Sequence, residues 1–151
     1  MNEVFDKQIL INYRLQRARE TLQDAHLLFE KGGSPASIIN RAYYAMFYAV
    51  LAFLTSIGKG ATKHSGVIAL FDKHFVRPGL LPKEMSKAIH KAFDLRQIGD
   101  YRELISLDIK RAEELLRLAN IFVEKVEHYF QQLFRSPKQV FYWKMRKLSL
   151  F

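Results

Sequence analysis

The chain has 151 residues, enough for one domain that buries about 70% of the surface its unfolded form would expose. Seven Gly and four Pro argue against a disordered or turn-rich all-β protein, and the absence of Cys excludes disulfides, thiolate nucleophiles and cysteine-type zinc sites. The net charge of +9 is uneven. Residues 57–102 hold nine basic against four acidic side chains, and 134–151 hold five against none, which points to an acidic or polyanionic partner.

Helix signals run the length of the sequence. The first helix is predicted from about Val4 to Lys31, with Ile9, Tyr13, Leu22, Ala25 and Leu28 near one face and Gly32-Gly33 as its stop. Met1–Asp6 leads straight into it with no secretory pattern, so a cytoplasmic protein is expected. Ser34-Pro35 supplies an N-cap and a first-turn proline for a second helix that reaches Ile57 and stops at Gly58. Ala42 to Gly58 carries no charge but is only seventeen residues long and holds three Tyr. It reads as the buried central helix of a bundle, not as a membrane span.

A shorter helix follows from about Lys63 to Val76, then the turn Arg77-Pro78-Gly79, and Pro82 opens a fourth helix that fades at Gly99. Ser106 is expected to cap a fifth helix to about Phe134, with Glu113 and Arg117 paired at i, i+4. Ser136-Pro137 repeats the cap signal for a short last helix. The expected architecture is an all-α, antiparallel, up-and-down bundle of four or five helices over residues 1–133. A basic, aromatic extension at 134–151 carries the extra short helix.

Chemistry concentrates on the fourth helix. Met85, Ile89, Ala92 or Phe93, and then Arg96 lie along one helical line, so Arg96 continues an apolar stripe. A desolvated guanidinium there needs an anionic partner. Asp100 one turn on, a phosphate, or a carboxylate across a subunit interface would each serve. Lys83, Lys87 and Lys91 form a basic ridge, either a solvated face or a set of phosphate contacts. Ser86, His90 and Asp94 also stand four apart, but one row along a helix lacks the convergence of a catalytic triad. His64, between Lys63 and Ser65, sits where a helix start could meet an anion or where it would simply cap. The five His show no metal-ligand spacing, and no metal or cofactor is expected. Tyr43, Tyr44, Phe47 and Tyr48 read as core.

Three blocks, SIINRAYYAMF at Ser37–Phe47, KHSGVIALFDKHFVRPGLLP and AFDLRQIGDY, closely resemble HEPN-domain proteins. The nearer likeness is to small stand-alone members encoded beside a minimal nucleotidyltransferase. The resemblance spans about residues 8–130 and implies a symmetric homodimer. It also implies, for many members, metal-independent cleavage of RNA by a motif of Arg, four to six residues, then His. In such a site arginine holds the phosphate while histidine acts as acid or base.

Here Arg96 is followed, after four residues, by Tyr101 in place of histidine. A tyrosine near pKa 10 is ionised about one part in a thousand at pH 7, a handicap of about 4 kcal/mol for a general base. With Asp100 as the neighbour of Arg96, the expected catalytic set is Arg96, Asp100 and Tyr101, and the basic setting adds Lys63, His64, Lys91 and Arg102 as expected substrate-binding residues. Tyr101 is also the position at which a nucleotidyltransferase partner would modify such a toxin. The alternative is a non-catalytic subunit that docks a nucleotidyltransferase or presents its substrate.

Overall fold

In the computed structural model, residues 3–100 and 107–135 are described; Tyr101, Arg102, Ser106 and the expected tail helix after Ser136 lie outside them. Five helices make up the described chain: α1 (Glu3–Glu30), α2 (Pro35–Ser56), α3 (His64–Phe71), α4 (Lys83–Asp100) and α5 (Ile109–Arg135). No strand occurs among the described residues. The protein is an all-α bundle.

The helix ends follow local chemistry. Gly32 takes φ 76° at the end of α1, and Gly33 N–H donates to the Leu28 carbonyl. Gly58 takes φ 67° after α2, and Lys59 N–H returns to the Leu54 carbonyl in the same way. Both closures need a left-handed residue that glycine adopts without a Cβ clash. The Ser34 hydroxyl accepts from Ser37 N–H with Pro35 opening α2, as expected of that pair. The third helix does not run evenly to Val76. It changes at Asp72–Val76 to a π-helical turn, in which Arg77 N–H donates to the Asp72 carbonyl. The cap of α5 is Asp108, whose Oδ1 accepts from Arg111 N–H at 2.9 Å.

α2 packs against α1, α3, α4 and α5, and so occupies the centre. It is the one helix among the described residues long and apolar enough to cross a membrane, yet 72% of its apolar window lies inside the bundle. That burial identifies a core helix. Phe53 anchors the middle, with ring centroids 5.7 Å from Phe71, 4.8 Å from Phe75, 5.1 Å from Tyr129 and 5.3 Å from Phe130. On α4, Met85, Ile89 and Ala92 are buried and Arg96 follows them half-buried, as the stripe requires.

The buried face of α1 matches the expected one in its second half, at Leu22, Ala25 and Leu28, and differs from it in the first. Ile11, Leu15, Ala18 and Ala25 face the core, whereas Ile9 and Tyr13 are exposed. The sequence around Ile9-Leu10-Ile11 is apolar on several sides, so more than one stripe can be drawn, and packing on α2 selects one. Nor is Glu113–Arg117 among the ion pairs of the described residues; Glu114 instead meets Lys91 at 2.8 Å. Replacing Phe53 by Ala should cost about 3–5 kcal/mol through lost burial and a residual cavity. Urea unfolding should show a lower midpoint with an unchanged slope.

Candidate functional site

The site forms on one face of the N-terminal half of α2, whose other face carries the buried Ile38 and Ile39. Ser37, Asn40, Arg41, Tyr44 and Tyr48 recur at three- and four-residue steps along it, and all are half-buried. α4 brings Arg96 to this face. Leu28, Ala36, Ser37, Asn40, Arg41, Arg96 and Gly99 line a cavity of about 460 Å³. Two of these seven residues are arginines and none is acidic.

The two guanidinium groups share one aromatic neighbour. Arg41 Cζ lies 5.3 Å from the Tyr44 ring centre and Arg96 Cζ 5.2 Å from it, with Arg96 also 5.3 Å from the Tyr43 ring. Arg41 Nε and Nη2 both donate to Asn40 Oδ1, at 3.1 and 2.8 Å. Arg96 Nε is buried and has no hydrogen-bond partner. Neither arginine forms an ion pair among the described residues. Ring faces offset part of the desolvation cost of a cation, but they do not neutralise it. Two like charges at one ring leave an anion-shaped deficit.

α3 adds His64 to the same cluster. Its ring stacks on Phe47 at 4.2 Å and meets Tyr44 edge-on at 5.8 Å. Its Nδ1 lies 2.9 Å from the hydroxyl of Tyr43, a fully buried side chain. Burial, then the Arg96 charge, lower the His64 pKa and favour the neutral ring. Burial pushes the Tyr43 hydroxyl pKa well up; the Arg96 charge acts in the opposite sense and Tyr44 adds to the rise. Tyr43 is therefore a protonated phenol at neutral pH.

Of the other expected site residues, Lys63 is exposed at the start of α3 and makes no side-chain cap. Lys91 is engaged by Glu114 of α5 and braces two helices. Asp100 ends α4, with its side chain outside the described residues, as are Tyr101 and Arg102. Ser86, His90 and Asp94 line one row of α4 as expected, and His90 is engaged from outside it: its Nε2 lies 2.7 Å from Asp72 Oδ2 in the π-helical turn. Among the described residues no group of three or more His, Asp or Glu could hold a metal ion.

The structure thus joins Arg96 and His64 and adds Arg41, Asn40, Ser37, Tyr43 and Tyr44. One signal could have found Arg41, which is the sole charge in Pro35–Ser56. The Tyr pair reads as core by spacing, and only Tyr43 is fully so.

Comparisons with known proteins identify the family. The HEPN domain family matches residues 11–129. A UPF0332 protein of Thermotoga maritima is 40% identical over 136 residues, covering 90% of this chain and all of the relative. A Methanocaldococcus jannaschii protein named "Putative toxin" is 32% identical over 76% of this chain and 78% of its own length; a second so named is 29% identical over 79% and 87%. With the family match spanning most of the residues and one relative aligned over its whole length, the chain belongs to the HEPN domain family.

Proposed function

We propose that this protein is a toxin-like HEPN component that acts on RNA, with Arg41 and Arg96 holding a phosphodiester in the cavity at the head of α2. One observation carries the reading: two half-buried arginines share a cavity whose lining holds no acidic residue. Guanidinium groups suit a phosphate because their planar donors match its oxygens. The toxin names of two relatives support the same direction. In cleavage by a neighbouring 2′-hydroxyl, Arg96 would stabilise the charge that gathers on the phosphorus oxygens. Asp100 and Tyr101 follow Arg96 in sequence and complete the expected set. A nucleotidyltransferase that modifies Tyr101 is the expected neutralising partner, and a homodimer the expected assembly.

A second reading is a non-catalytic subunit that docks a nucleotidyltransferase. It is favoured by Tyr101 standing where the motif histidine would be. The purified chain, incubated with several RNAs in chelator, should cleave them and lose that activity on Arg96→Ala. Intact RNA throughout, together with a stable nucleotidyltransferase complex that survives Arg96→Ala, would select the second reading.

Binding separates the arginines from structural ones. Arg96→Ala should weaken single-stranded RNA affinity about ten- to a hundredfold, the range for a lost charge-assisted hydrogen bond. It should also reduce the salt slope by about one, as removal of one phosphate contact does. Anisotropy titrations at several salt concentrations check both. Arg96→Leu should meanwhile raise stability by about 1 kcal/mol, because an apolar side chain continuing the Met85–Ile89–Ala92 stripe replaces a cation that has no ion pair and a buried, unpartnered Nε. A urea midpoint that falls instead would assign Arg96 to the architecture.

A further inference from the structure

The Arg41–Arg96 cavity does not account for Tyr43 and His64. Tyr43 is fully buried, so its hydroxyl proton needs an acceptor inside the protein. His64 Nδ1, at 2.9 Å, supplies one. An arginine cannot, because it has no acceptor atom. If the Tyr43 hydroxyl donates to Nδ1, the neutral imidazole carries its own proton on Nε2, at the ring edge away from Tyr43. The ring is held in place by Phe47 on one face and by Tyr44 at its edge. Tyr44 is thus the common neighbour of Arg41, Arg96 and His64.

We propose that His64 is a third donor of this site, its Nε2–H presented to a phosphate oxygen or adjoining ribose oxygen of an RNA strand held by Arg96. Tyr43 is the positioning residue that fixes the tautomer. The inference rests on the RNA reading above and extends it by naming a residue outside the Arg96–Tyr101 segment. The Arg96 charge and burial both disfavour a second proton on the ring, so the donor is a neutral imidazole over the physiological range.

The probe is a short single-stranded RNA with every ribose 2′-O-methylated, which binds without being cleaved. His64→Ala should weaken its binding about tenfold, the loss of one hydrogen bond to a charged group. His64→Gln places an amide N–H near the position of Nε2 and should recover most of that loss. Nitrogen-15 spectra of the histidines should show Nδ1 unprotonated and Nε2 protonated in the parent, and a mixture of tautomers in Tyr43→Phe. Thermal unfolding of each variant confirms that the bundle is intact.

Unchanged binding in His64→Ala alongside weakened binding in Arg96→Ala overturns the role of His64 and leaves the RNA reading standing. Unchanged binding in both variants overturns the two together. A parent spectrum with the proton on Nδ1 overturns the part assigned to Tyr43.

Discussion

A helix buried on almost every side can keep charge only where it leaves the core, and α2 is such a helix. Its single charged residue, Arg41, stands at the end where the chain enters from Ser34-Pro35. Below it, the run from Ala42 to Ser56 is packed by α1, α3, α4 and α5. Polar side chains meet this helix at both ends: Arg14 donates to the Leu51 carbonyl and the Thr55 hydroxyl near its C-terminus, and the Arg41 end gathers the cavity. α4 contributes Arg96 there because its buried stripe runs toward the same end, and α3 contributes His64 at its first residue. The cavity opens on the half-buried face of the first turns of α2, while Ile38 and Ile39 on the other side stay in the core.

The energetics of that end differ from those of an ordinary surface. A solvated arginine costs the fold little, and a surface ion pair adds little. Arg96 is neither, since its Nε is buried and unpartnered and its guanidinium lies over two tyrosine rings. Ring contacts contribute about 0.5–2 kcal/mol, less than the several kcal/mol that removing an ion from water costs. Such a group is stable in place only because the surrounding core holds it there. Inside the protein the two ring faces and a hydrogen bond with the Tyr43 side chain offset part of that cost, and the anion proposed above would offset the rest. Lys91 makes the contrast: also on α4 and also basic, it is matched by Glu114 and asks for nothing further.

Most of the fold was legible because helix ends are written in local chemistry. Gly32, Gly58, Ser34-Pro35 and Pro82 each act on the backbone within a few residues, so position along the chain is enough to read them. The uncharged run of α2 was equally direct. What escaped were choices made through space. The buried stripe of α1 depends on which of several apolar sides meets α2. The π-helical turn at Asp72–Val76 has no signature in its composition. Lys91 pairs with a residue 23 positions away on another helix, which spacing along α4 cannot reveal. The same limit applies to the site. Arg96 announced itself by interrupting a stripe, and Arg41 was readable as a lone charge, but the approach of His64 to Tyr43 joins residues 21 apart through a helix reversal.

The replacement of the motif histidine by Tyr101 has a different weight once this cluster is considered. A histidine serves cleavage either as a base that accepts the 2′-hydroxyl proton or as a donor to oxygens on the phosphate. A ring whose Nδ1 is occupied by the Tyr43 hydroxyl and whose Nε2 already carries hydrogen can do only the second. His64 therefore does not restore the missing base. It adds a neutral donor beside two cations, and neutral donors strengthen anion binding without raising the desolvation cost of a third charge. On that chemistry the work proposed for this end of the bundle is gripping a phosphodiester. If the chain cleaves RNA as proposed, the base would have to come from a group other than His64, and affinity and turnover would then rest on separate residues.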